Sequence, residues 1–147
     1  MFKRILIPTD GSAVAEKAIK AGVALAAEMG ASVTGYYAIE PAPSGIYGEG
    51  YVGARKLTEE LDQRARDFAQ RALDKIAAEA KIAGVKCETV VDKTALPYQG
   101  IIDAASKREC DAIFMASNGH RGLAGLLIGS VTHKVLTHSK TPVLVFR

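Results

Sequence analysis

Apolar positions along this chain recur in blocks, some continuous and some spaced at three or four residues. Lys3–Thr9 (KRILIPT) is a short apolar run that predicts a buried strand. In Ser12–Gly30, Val14, Ala18, Ala21 and Leu25 repeat at helical spacing. Asp10-Gly11-Ser12 supplies turn and cap chemistry before that helix, and Gly30 suits its stop. Ser32–Ile39 reads as a second strand. Glu40–Ala54, with two prolines, four glycines and two tyrosines, reads as a loop. Arg55–Ala83 is the longest helix, with Leu57, Leu61, Ala65, Phe68, Ala72 and Ile76 as its apolar stripe. Glu60–Arg64, Asp62–Arg66 and Asp67–Arg71 are expected i, i+4 pairs on its wetter side. Gly84 ends it, and Val85–Asp92 is a third strand. Pro97 fits the first turn of a helix running through Ile101, Ile102 and Ala105. Ala112–Ala116 (AIFMA) is a fourth strand, Ser117–Leu126 a loop, and a last helix starts near Gly129-Ser130. Pro142–Phe146 is the final strand.

Strands that alternate with helices imply an α/β fold, with a parallel sheet covered on both faces. Right-handed crossovers then give a Rossmann-like, doubly wound open sheet. No internal repeat or linker interrupts the pattern, so residues 1–147 are expected to form a single domain. Ligands of such sheets bind at the carboxyl ends of the strands, where the winding reverses. The segments to search are therefore Thr9–Ser12, Ala38–Ala54 and Met115–Ser130.

Composition narrows the classes. With 48% hydrophobic and 24% charged residues, the 147-residue chain has material for a real core. A net charge of +3 without any Lys/Arg-rich tract gives no footprint for nucleic acid. No apolar run approaches the roughly 20 residues that span a bilayer, so no membrane insertion is expected. Met1-Phe2-Lys3-Arg4 is followed by only Ile5-Leu6-Ile7 before Pro8, too short for a signal-peptide core, which points to the cytoplasm. Cys87 and Cys110 have neither CxxC spacing nor a metal cluster and read as reduced thiols. His133 and His138 are five apart, which misaligns them as a helical metal pair.

Gly48-Glu49-Gly50-Tyr51-Val52-Gly53 matches G-x-G-x-x-G, but it follows the second strand after a Pro-rich stretch. A dinucleotide fingerprint should follow the first strand and open the next helix, so this match is rejected. No Walker-type P-loop occurs either. The loop after the fourth strand carries more. It leaves the strand at Gly119, and Gly129-Ser130 opens the last helix. A helix N-terminus offers free N–H groups and a partial positive charge to phosphate. Gly129 permits close backbone approach, and Ser130 adds a hydroxyl. The same residues also read as turn glycines and a helix cap, and the residues alone leave both readings open. His120 and Arg121, on the same loop, could reach a terminal phosphate or face solvent.

This loop resembles the nucleotide signature of the universal stress protein A family, G-x2-G-x9-G-[ST]. Aligned backwards from Gly129-Ser130, nine residues (His120–Ile128) intervene, Gly119 is the second glycine, and Ala116 stands at the first. Ile5-Leu6-Ile7-Pro8-Thr9-Asp10-Gly11-Ser12 resembles the family's opening, and Ser130-Val131-Thr132 and Thr141-Pro142-Val143-Leu144-Val145 its ending. The resemblance implies a five-stranded sheet of order 3-2-1-4-5 that binds ATP, with Mg²⁺. By position, Pro8, Thr9 and Asp10 would line the adenosine pocket, with Asp10 near the ribose. Ala38 would meet the adenine through its backbone, and Met115 and Ala116 would lie along the ribose. Gly119, Gly129, Ser130 and Thr132 would hold phosphates, supported by Asn118 and Val131. Asp10 also reads as a helix cap.

Val143–Phe146 would leave an unprotected sheet edge. Members of the family commonly pair this strand with its symmetry mate, which implies a homodimer. The leading expectation is a cytoplasmic ATP-dependent sensor or adaptor that answers stress through a protein partner not named by the sequence. A slow ATPase or phosphotransferase is the enzymatic alternative, although no dedicated Lys or clear catalytic base appears. A nucleotide-free dimeric scaffold is the third, because Ala116 replaces the motif glycine.

Overall fold

A computed structural model describes residues 1–42, 53–119 and 127–147. The elements are β1 (Arg4–Pro8), α1 (Ala13–Met29), β2 (Ser32–Ile39), α2 (Ala54–Ile82), β3 (Cys87–Lys93), α3 (Pro97–Lys107), β4 (Ala112–Ala116), α4 (Ser130–His138) and β5 (Val143–Phe146). The five strands form one parallel sheet, ordered β3-β2-β1-β4-β5. This is the expected α/β architecture, with winding that reverses between β1 and β4.

The period of two in each strand decides which face a side chain feeds. Ile5 and Ile7 of β1 and Phe114 of β4 pack with Ile19 and Val23 of α1 and Leu73 and Ile76 of α2. Leu6, Ile113 and Met115 point the other way, to Ile101 of α3 and Val135 of α4. Both sheet faces are thus buried, which explains why AIFMA reads as a continuous apolar run.

The caps follow the sequence closely. Ser12 is the N-cap of α1, its Oγ accepting from the Ala15 N–H at 3.2 Å, and Gly30 closes the helix in the left-handed region at φ 65°. Pro97 occupies the first turn of α3. Asp10 is not the helix cap. Its Oδ1 instead accepts from the Ser12 N–H at 2.9 Å and fixes the turn that precedes the cap.

Helix α2 differs from expectation in its charges. None of the three anticipated i, i+4 ion pairs forms among the described residues. Asp62 instead meets Lys93 of β3 at 3.1 Å, and Asp67 accepts from Gln63 at 2.9 Å. Exposed, flexible side chains gain little from any one partner, so a cationic strand end competes successfully with a neighbouring turn. Burial along α2 is uneven: its fully buried residues run only from Ala69 to Ala80, leaving the N-terminal half beyond the packed core. No helix among the described residues is long and apolar enough to cross a membrane. The G-x-G-x-x-G match, apart from Gly53, and His120 and Arg121 lie outside the described residues.

Candidate functional site

The carboxyl ends of β1 and β4 diverge where the winding reverses, and a cavity of about 570 Å³ opens there. That volume falls in the range of small-molecule sites, roughly 300–1,000 Å³. Each residue that the family resemblance assigns to nucleotide binding lines the cavity. Pro8, Thr9 and Asp10 come from the end of β1, Ala38 from β2, and Met115 and Ala116 from β4. Asn118, Gly119, Gly129, Ser130, Val131 and Thr132 bring the loop end and the first turn of α4.

The β1 end is held rigidly by its own polar groups. The Thr9 N–H donates to the Tyr36 carbonyl at 2.9 Å, continuing the ladder past the strand. Thr9 Oγ1 then accepts from the Gly11 N–H at 3.1 Å. Gly11 has φ 79°, a left-handed conformation that favours glycine, and its bare Cα accommodates the Phe68 ring. A β-carbon there would lie 2.9 Å from Phe68 Cε1 and Cζ.

The β4 end is tied to α4 by hydrogen bonds. The Gly129 N–H donates to the Ser117 carbonyl at 2.7 Å, and buried Thr132 Oγ1 donates to the Ala116 carbonyl at 2.9 Å. These bonds set the N-terminus of α4 beside the end of β4. Gly129, the N-cap, provides no side-chain acceptor, so among the described residues the first-turn N–H groups receive no side-chain cap. The wall therefore combines uncapped backbone donors, a hydroxyl at Ser130 and the bare Cα of Gly129. Such a wall suits an anion. Ala116 packs into the α1–α2 core, so a methyl group at this position has a place in the fold.

The cavity also includes walls that sequence reasoning missed. Pro97, Ile101 and Tyr36 line its α3 side, and Ala15, Tyr37, Ala65 and Phe68 its α1–α2 side. Tyr37 and Phe68 meet edge-to-face, with ring centroids 6.1 Å apart. Burial pushes the Tyr37 hydroxyl pKa up, and the carboxylates of Asp10 and Glu40 add to the rise. Burial, then the charge of Asp92, raises Tyr36 further. The signals for these walls were present in the β2 alternation and the α2 stripe. They did not indicate which turn of a long helix would meet the strand ends.

The model of the universal stress protein family matches residues 1–147. The chain belongs to the universal stress protein family. The universal stress protein MJ0531 of Methanocaldococcus jannaschii is 34% identical, over 100% of this chain and 83% of its own length. The solved structure of the protein MJ0577 has a TM-score of 0.81 and 29% identity, covering 99% of this chain and 95% of that one. A universal stress protein crystallised in complex with cAMP has a TM-score of 0.71 and 26% identity, covering 99% and 97%.

Proposed function

We propose that this universal stress protein binds ATP with Mg²⁺ in the cavity between β1 and β4 and acts as a nucleotide-dependent sensor or adaptor. The observation that carries the reading is the meeting of the β1 and β4 ends with the uncapped first turn of α4 in one cavity. The residues fit the ligand. Gly129 offers a bare Cα, Ser130 a hydroxyl and Thr132 its backbone N–H to phosphates, with Gly119, Asn118 and Val131 on the same wall; the Thr132 hydroxyl itself is held by the Ala116 carbonyl. Pro8, Thr9 and Asp10 would take the ribose side, Met115 and Ala116 its flank, and Ala38 the adenine through its backbone. The cAMP complex of a relative supports an adenine nucleotide as the ligand class.

In this reading, residues 1–147 act as one domain in the cytoplasm, as a homodimer through Val143–Phe146, and present a nucleotide-dependent surface to a protein partner. Among the described residues strand β5 pairs only with β4, which leaves its outer edge for a second copy in this reading. The test is calorimetric titration of nucleotide-stripped protein with Mg-ATP, together with adenine absorbance of the stripped fraction. Micromolar affinity, about −8 kcal/mol, or co-purified nucleotide is expected. Absence of both would replace this reading with a nucleotide-free scaffold. Phosphate release above background from pure protein would move it towards a slow ATPase.

A further inference from the structure

We infer that Phe68 is a positioning residue: its ring seats the β1–α1 turn on α2 and thereby sets where the Asp10 carboxylate meets the ribose of the bound nucleotide. This inference rests on the nucleotide reading, which puts Asp10 at the ribose. It makes the preference of the site for ribose hydroxyls depend on a helix that carries none of the residues assigned to base, ribose or phosphates.

The turn from Thr9 to Ser12 has its own internal bonds. Thr9 Oγ1 accepts from the Gly11 N–H at 3.1 Å, and Asp10 Oδ1 from the Ser12 N–H at 2.9 Å. These bonds run between near neighbours, so they set the shape of the turn and not its place against α2. That place is set at Gly11. A β-carbon on Gly11 would lie 2.9 Å from Phe68 Cε1 and Cζ and 3.7 Å from Ala72 Cβ. Phe68 and Ala72 are i, i+4 neighbours, so Gly11 sits against two side chains on one face of the helix. Gly11 is also the joint of the turn with most freedom, at φ 79°. Packing against it supplies the stiffness that its own backbone lacks.

Two further contacts make this seat matter for Asp10. Tyr37 stands edge-to-face with Phe68, ring centroids 6.1 Å apart, and backs the ring from β2. On the far side of the turn, Asp10 Oδ2 fills the space that a β-carbon on Gly119 would need. The carboxylate is thus held between the turn seated on α2 and the Gly119 backbone. A small shift of the turn drives it into Gly119 or away from it, and hydrogen bonds weaken steeply as alignment is lost. Phe68 itself is 40% exposed, and the fully buried residues of α2 run only from Ala69 to Ala80. Truncating the ring therefore removes the seat while leaving most of the core in place.

The probes are Mg-ATP and its 2′,3′-dideoxy analogue, which lacks both ribose hydroxyls, titrated calorimetrically into nucleotide-stripped protein. The parent is expected to favour ATP by about tenfold or more, as a hydrogen bond to a charged acceptor does. Asp10→Ala should bring that ratio to within about threefold of unity. Phe68→Ala should do the same with Asp10 still present, and should leave affinity for the dideoxy analogue within about threefold of the parent's. Phe68→Leu, which keeps an apolar side chain beside Gly11, should be intermediate. Leu61→Ala, further along the same apolar stripe, should keep the parent's ratio, and circular dichroism checks that every variant folds. A ratio that survives Phe68→Ala overturns the inference. So does an equal loss for both nucleotides, which would make the ring a wall of the site and not a support for Asp10. A parent that binds both nucleotides equally also overturns it and leaves the ATP site standing. If neither nucleotide binds the parent, the nucleotide reading fails and this inference fails with it.

Discussion

Gly119 lies directly against the Asp10 carboxylate: a β-carbon at position 119 would collide with Asp10 Oδ2. Two loops from different strands thus meet across the cavity mouth, one contributing a side chain and the other the space for it. Asp10 is further fixed through Oδ1, which holds the Ser12 N–H. Gly119→Ala is expected to displace Asp10 and weaken Mg-ATP binding by about tenfold or more, about 1.4 kcal/mol. In an Asp10→Ala background the same substitution should cost far less, a coupling on the order of 0.5–3 kcal/mol. Additive losses in the calorimetric cycle would show that the two positions act independently.

Ser130 tests the phosphate end. Ser130→Ala should weaken ATP by about 1.5–3 kcal/mol, the range for a hydrogen bond to a charged group. Thermal stability should barely change, because Ser130 is exposed. Titration that returns the parent affinity would remove this hydroxyl from the site.

The Thr132–Ala116 bond joins α4 to β4 in a buried setting. Thr132→Val would leave the Ala116 carbonyl without this donor, at a cost of about 1–3 kcal/mol. For a chain of this size each kcal/mol lowers Tm by about 2–4 °C. Thr132→Ser, which keeps the hydroxyl, should recover most of the loss in a thermal melt.

Gly100 sits inside α3, where alanine would normally stabilise by about 1 kcal/mol. Here a β-carbon would run into the Tyr36 hydroxyl. Gly100→Ala is therefore expected to destabilise by about 1–3 kcal/mol, as overpacking does. Removing the hydroxyl with Tyr36→Phe should relieve most of that penalty, the rest coming from Thr94 Cγ2 at 3.0 Å. Urea unfolding of the four proteins reads this cycle, and an unchanged penalty in the Phe background would place the clash elsewhere.

At the opposite end of the sheet, Asp111 accepts from the backbone N–H groups of Lys3 and Arg4 at 2.9–3.1 Å. Desolvation, the largest single effect, pushes its pKa up, but the backbone donors of Arg4 and Lys3, with the Lys3 charge, together outweigh it and hold the carboxyl below its ordinary value of 3.8. A depressed folded pKa gives stability that is present above the unfolded value and is lost as pH falls through the folded one. Asp111→Asn should thus be less stable than the parent at pH 7, with the gap closing below about pH 4. Denaturant midpoints measured across that window check the sign. A gap that widens on acidification would contradict it.

The order and type of all nine elements were legible, because buried parallel strands and capped amphipathic helices leave distinct periods. The start of β3 was less so. The Val85 N–H donates to the Ala80 carbonyl and completes the end of α2, so the strand begins at Cys87 rather than at Val85. The charges on α2 misled for a related reason: i, i+4 spacing makes a pair available, but Lys93 arrives from another strand and takes Asp62. The β1, β2 and β4 ends and the α4 turn could be read as cavity wall because chain topology alone brings them together. The Phe68 wall could not, since it depends on where a long helix crosses the sheet and on a missing β-carbon at Gly11.

That crossing has a dynamic consequence. With 29 residues at 1.5 Å each, α2 is about 43 Å long, but its core contacts are confined to Ala69–Ala80. The helix therefore has two thermodynamic halves. Amide protons between Ala69 and Ala80 should exchange with solvent only when the whole fold opens, whereas those nearer Ala54 should exchange through local fraying. Ala65 and Phe68 sit at the boundary, so anything that settles against them would slow exchange outward along the helix.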